Sequence, residues 1–207
     1  MNKLYKYTSQ EYIEDALLYG VHASRLDNVN DPYEVEGIRY PDKYRVACLT
    51  NSNNAMLLWS YYVGHRGCCI SYELSPDVEN IIMPIKYTEE IEARRDLDNV
   101  GVINSLFTKG KEWAHEHEYR AVYFEDRDKD SNYWKKHNDE IFLNLRPIEI
   151  YFGVLSSSVE SYQSTLRIIQ DYNHDKDSSI KCFGMYKRDD KYGLRIDRQF
   201  NLMDELQ

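Results

Sequence analysis

Residues 111–124 read KEWAHEHEYRAVYF, with two histidines alternating with two glutamates (His115, Glu116, His117, Glu118) ahead of Tyr119 and Arg120. Histidines two apart on a strand share a face and could ligate one ion. A zinc site then needs a third ligand, which His22, His65 or His137 would have to supply. The helical zinc signature places its histidines four apart around a glutamate, and that spacing is absent. No intrinsic metal is expected. The carboxylates offer more. In a strand begun by Glu116, the side chains of Glu116, Glu118 and Arg120 line one face that continues into Val122 and Phe124. A face that is apolar along its length and carboxylate-rich at its mouth suits the ligand-facing end of a strand. The alternative is an exposed edge carrying a Glu118–Arg120 surface pair of little energetic worth.

The flanking sequence must position these groups. Leu4 to Tyr7 alternates as a strand. Thr8 to Glu11 reads as a capping box opening a helix with Tyr12, Ile13, Ala16 and Leu17 on one face, stopped by Gly20. Asp27 to Glu34 (DNVNDPYE) is turn chemistry. Tyr44 to Thr50 is a strand, Ala55 to Val63 a short helix ending at Gly64, and Cys68 to Leu74 another strand. Ile81 to Tyr87 is a strand whose Pro84 implies an edge or a bulge. Asp98 to Lys109 is helical, and from Glu118 the period changes to two. Glu125 to Glu140 reads as a mobile, charge-rich loop. Ile148 to Val154 predicts a strand, Ser158 to Tyr172 a helix, and Ile180 to Tyr186 with Leu194 to Phe200 a hairpin. Strands outnumber helices without regular alternation. The expected fold is α+β, with a mixed, mostly antiparallel sheet and a few flanking helices.

Composition bounds the function. The 207 residues are 42% hydrophobic and 29% charged, and no Pro/Gly/Ser-rich linker divides them, so one domain over 1–207 is expected. The first ten residues hold no apolar run, and no stretch nears the length of a membrane span, so neither a signal peptide nor a membrane partner is expected. The four cysteines, Cys48, Cys68, Cys69 and Cys182, lack metal-ligand spacing and read as reduced thiols of a cytoplasmic protein. A net charge of -9 argues against nucleic-acid binding. The basic groupings Arg94-Arg95, Lys109/Lys111 and Lys135-Lys136 are flanked by acids and read as solvated surface. Nineteen tyrosines suit half-buried strands and a cleft that stacks flat ligands.

Two motifs have a structural and a functional reading. In Asn30-Asp31-Pro32-Tyr33-Glu34, Asp31 can cap a turn and Asn30 can bond its own backbone, so a structural loop is the simpler account. The functional one closes Glu34 or Tyr33 over a ligand. Trp59, on the apolar face with Leu58, reads first as core and second as a stacking platform.

The chain resembles an uncharacterised family of bacterial and phage proteins whose members read LYKY, NDPFE, MWSHY…G, W-x-x-E-x-E-Y-R and a late I-x-x-G. Here these are Leu4-Tyr5-Lys6-Tyr7, Asn30 to Glu34, Trp59-Ser60-Tyr61-Tyr62 with Gly67, Trp113…Glu116-His117-Glu118-Tyr119-Arg120, and Ile150…Gly153. Tyr61 stands where the family usually has His, and His65 is a substitute one turn later. The layout also resembles, more distantly, that of ADP-ribosyltransferases. That likeness implies an NAD cleft and a late glutamate holding the nicotinamide ribose. It would make Glu118 the ribose-binding catalytic carboxylate, and Glu116 would orient an acceptor or activate it as a base. Tyr5, Tyr7, Trp59 and Tyr61 would bind the rings, and Arg25 or Arg120 the pyrophosphate. It implies NAD as co-substrate and an effector role in bacterial or phage conflict. The alternative is a non-catalytic module for a nucleotide-like small molecule or a protein target.

Overall fold

The structure, a computed structural model, describes residues 2–90, 97–156 and 159–196. The described strands are β1 (Lys3–Thr8), β2 (Val21–Arg25), β3 (Tyr44–Thr50), β4 (Cys68–Glu73), β5 (Met83–Pro84), β6 (Lys86–Thr88), β7 (Thr108–Gly110), β8 (Glu118–Phe124), β9 (Trp134–His137), β10 (Glu140–Leu143), β11 (Arg146–Phe152), β12 (Lys181–Lys187) and β13 (Leu194–Ile196). The helices are α1 (Ile13–Leu18), α2 (Met56–Val63), α3 (Pro76–Glu79), α4 (Asn99–Leu106), α5 (Glu125–Asp128) and α6 (Val159–Asp175). The fold is α+β, and eight of the ten strand pairings with a described register are antiparallel. Among the described residues no helix is long and apolar enough to cross a membrane.

The chain groups into two compact units interleaved along the sequence. The first holds residues 1–20, 52–74 and 145–207. Its sheet runs β13-β12-β11-β4-β1, with β11 and β12 parallel and α6 between them in sequence. β4 sits between β1 and β11, and Cys68 to Tyr72 are all buried. A strand buried on both faces loses the polar–apolar alternation. One face carries Tyr5, Tyr7, Cys69, Tyr151 and Phe183 against Leu58 and Trp59 of α2. α2 ends at Gly64, whose left-handed φ of 53° turns the chain toward β4.

The glycines of the late motifs are steric. A Cβ on Gly153 would stand 2.2 Å from the His65 carbonyl oxygen, and one on Gly67 would stand 2.6 Å from that of Thr8. Gly153 also donates its N–H to the Gly67 carbonyl at 3.0 Å. Gly153→Ala forces backbone apart, and we expect a loss of about 1–3 kcal/mol, read as a lower thermal midpoint.

The second unit holds 21–51 and 75–144, and its sheet runs β9-β10-β2-β3-β8-β5. β3 and β8 pair along their whole length, from Tyr44↔Phe124 to Thr50↔Glu118. Their shared face (Val46, Val122, Tyr44, Cys48) packs on Val102 and Leu106 of α4. Asp98 caps α4 by accepting the Gly101 N–H at 2.8 Å.

Four local expectations need correction. Thr8 opens no helix, because pairing with Cys68 keeps it in β1; Ser9 precedes a 3-10 turn over Gln10–Tyr12, and Tyr12 is exposed. Ile81 to Tyr87 splits, since β5 pairs with β8 whereas β6 lies parallel to β7. The helix read from Asp98 stops at Leu106, and Lys109 belongs to β7. The stretch from Glu125 is not a plain loop. Arg127 donates to the Val122 carbonyl and Asp128 accepts the Phe124 N–H, which forms α5, and β9 pairs with β10. The predicted strand end beyond Ile196 lies outside the described residues.

Candidate functional site

The strand carrying the glutamates begins at Glu118, not at Glu116. Residues 111–116 form a 3-10 helix, and His117 takes a left-handed φ of 46° before β8 starts. This turn still returns Glu116 to the same place as Glu118, because one cation holds both. Lys109 Nζ donates to Glu116 Oε2 at 2.6 Å, to Asn30 Oδ1 at 2.8 Å and to Glu118 Oε2 at 3.2 Å. It also lies 3.5 Å from Glu34 Oε1 and 4.7 Å from the Trp113 ring centroid. On β8 two residues on, Arg120 Nε donates to Glu118 Oε1 at 2.5 Å and Nη2 to Glu34 Oε1 at 2.7 Å. Its Nη1 donates to the carbonyl of Leu106, the last residue of α4, at 3.0 Å. Burial is nearly complete: Glu34 is 0% exposed, Arg120 1%, Lys109 2%, Glu116 4% and Glu118 6%.

The backbone holds the cluster from outside. Thr50 Oγ1 donates to the Glu116 carbonyl at 2.7 Å, and the Glu118 N–H donates to the Tyr87 hydroxyl at 2.8 Å. In the NDPYE loop Asp31 does cap the turn, accepting the Tyr33 N–H at 3.0 Å. The Asn30 side chain reaches further: its amide donates to Glu116 Oε1 at 3.1 Å while its oxygen takes Lys109. Tyr33 is half exposed. Two motifs separated by some eighty residues therefore meet in one buried network.

Charge states follow from the geometry. Burial pushes the Glu118 carboxyl up, but Arg120 and Lys109 outweigh it and hold it at about 2. Burial pulls the Lys109 ammonium down, but Glu118, Glu34 and Glu116 more than restore it. Glu34 goes the other way: burial dominates and raises its carboxyl in spite of Arg120 and Lys109. Both oxygens of Glu118 are bonded to cations, so in this structure the carboxylate is engaged within the protein.

The same face of β8 continues outward as expected, into Val122 and Phe124, and these line a groove of about 820 Å³. Val102, Ile103 and Leu106 of α4 form another wall, and Tyr44, Met83 and Trp134 complete it. Tyr44 and Phe124 stack at 4.9 Å with an interplanar angle of 22°. Arg127 and Asp128 stand at the rim, paired with each other at 2.6 Å.

The remaining site candidates are elsewhere. Tyr5, Tyr7 and Trp59 belong to the core of the first unit, where Trp59 is 0% exposed, edge-on to Tyr7 at 5.1 Å and donating Nε1–H to the Asn53 carbonyl. Tyr7 donates its hydroxyl to the Ser52 carbonyl. Packed like this, their rings present no open face for stacking a ligand. Tyr61 is exposed on α2, and Arg25 is an exposed partner of Asp27. The sequence reading missed Lys109, taken as solvated surface. A lysine between Thr108 and Gly110 carries no local mark of burial; only the β6–β7 pairing puts it inside. No family model, no curated protein and no solved structure matches this chain.

Proposed function

We propose that this protein binds a flat, nucleotide-like small molecule in the groove of the second unit. The observation that carries the reading is the stacked Tyr44–Phe124 pair in a concave, mostly apolar site of about 820 Å³. Small-molecule sites are typically concave, about 300–1,000 Å³, and apolar with a few placed polar groups. Aromatic walls accept any base-like ring, and Arg127 and Asp128 offer one polar edge to it. We place the protein in the cytoplasm, where its cysteines, none of them in a disulfide, stay reduced.

NAD turnover of the ADP-ribosyltransferase kind is the second reading. It is supported by the single β8 face that runs from Glu118 to the groove residues Val122 and Phe124. Its chemistry requires Glu118 to exchange Arg120 and Lys109 for a ribose hydroxyl. Titration of Trp fluorescence and amide NMR shifts with AMP, ATP and NAD tests the binding reading, and nicotinamide release tests turnover. We expect shifts at Phe124, Tyr44 and Trp134. Phe124→Ala should weaken binding about 5- to 150-fold, since one base–aromatic stack contributes about 1–3 kcal/mol. Perturbations absent from the groove, or unaffected by Phe124→Ala, would overturn the assignment.

A further inference from the structure

We propose that Glu34 is held in the folded protein as a neutral acid, and that its ionisation as pH rises loosens the ion cluster that anchors α4. The second unit would thus contain a proton-operated device, whatever occupies the groove.

The cluster does not balance when every acid is ionised. Among the described residues the cations that face Glu34, Glu116 and Glu118 are Lys109 and Arg120; Cys48 and Tyr87 also lie against Glu118, and Asp31 lies nearby against the Gly110 N–H. The two cations are already committed. Lys109 makes its short bonds to Glu116 and Asn30, and Arg120 gives Nε to Glu118 and shares Nη2 between Glu34 and Glu118. Glu34 receives one strong bond, at Oε1. Its Oε2 is buried with no hydrogen-bond partner among the described residues. An ionised carboxylate oxygen buried without a protein donor is far more costly than a neutral one, so the proton belongs here. Glu118, bonded at both oxygens, is the member that stays ionised. The shift of Glu34, upward chiefly through burial, agrees.

The link to α4 is Arg120. The last carbonyls of a helix lack intrahelical donors, and Arg120 Nη1 supplies one to Leu106. Ionised Glu34 has to draw water inward or take Arg120 and Lys109 from their present partners, and either event loosens the last turn of α4.

The sign follows from linkage. The folded state binds the Glu34 proton more tightly than the unfolded chain. The stability this confers is therefore complete below the ordinary glutamate range, about 4.3, and is lost as pH rises through the raised folded value. Glu118, with a folded value near 2, acts oppositely: its contribution is complete above the ordinary range and is lost on acidification toward that value.

Thermal midpoints of the ligand-free protein and of Glu34→Gln, measured from pH 4 to 9, test the proposal. Glutamine keeps the acceptor for Arg120 and removes the titration. The wild-type midpoint should fall relative to the variant as pH rises, and amide protection in the last turn of α4 should fall over the same window in wild type alone. If Glu34→Gln does not fold, the ¹³C shift of the Glu34 carboxyl in wild type decides: titration above the other glutamates supports the proposal. Parallel midpoint profiles, or a carboxyl titrating at or below the ordinary range, would overturn it.

Discussion

Arg120→Met should cost about 3–5 kcal/mol, the usual loss when one partner of a buried ion pair is removed. The methionine fills much of the volume, so the loss is electrostatic. Glu118 loses the donor on Oε1, Glu34 loses its one short bond, and the Leu106 carbonyl loses its cap. Domains are stable by only about 5–15 kcal/mol, so this one substitution removes a large share. Urea unfolding followed by far-UV circular dichroism measures it. Glu118→Gln should cost less, about 1.5–3 kcal/mol, because its neutral amide still fills the site. If Arg120→Met costs under about 1 kcal/mol, the cluster is not acting as a unit. If Glu118→Gln abolishes ligand turnover with no loss of stability, Glu118 is a catalytic carboxylate and the NAD reading gains.

Trp59→Ala should cost a similar amount, about 3–5 kcal/mol, through a different force. Trp59 is the largest fully buried side chain. Its removal leaves a cavity among Tyr7, Leu58 and Phe183 and strips the Asn53 carbonyl of its donor. Trp59→Phe retains most of the packing and should lose appreciably less. Differential scanning calorimetry of both variants checks the order. Groove binding by Trp59→Ala, measured well below its midpoint, should match wild type. A large loss of affinity in a folded Trp59→Ala protein would return this tryptophan to the binding site.

Local pattern was enough for most of the elements. Tyr44 to Thr50 is a strand with the predicted limits, α2 ends at Gly64, and β8 starts where the period changes at Glu118. These signals are carried within a few residues, by alternation, caps and glycine, so no tertiary contact is needed to see them. The same alternation set Glu118, Arg120, Val122 and Phe124 on one face, and that face does run from the charge cluster to the groove.

Burial and pairing were decided by tertiary structure. Glu34 lies in turn-like sequence and Lys109 at the end of a stretch that reads as helix, and nothing local distinguishes these polar residues from solvated neighbours such as Lys111. They are inside because β6 pairs with β7 and because Asp31 turns the loop. A buried charge is tolerated only with partners, and here those partners come from positions some eighty residues apart. Tyr7 and Trp59 illustrate the converse: strand and helix periodicity placed them on apolar faces, but whether such a face meets ligand or core depends on what packs against it. Local periodicity sets which side chains share a face; what each face touches is set by the fold, because long-range contacts leave no mark on local period.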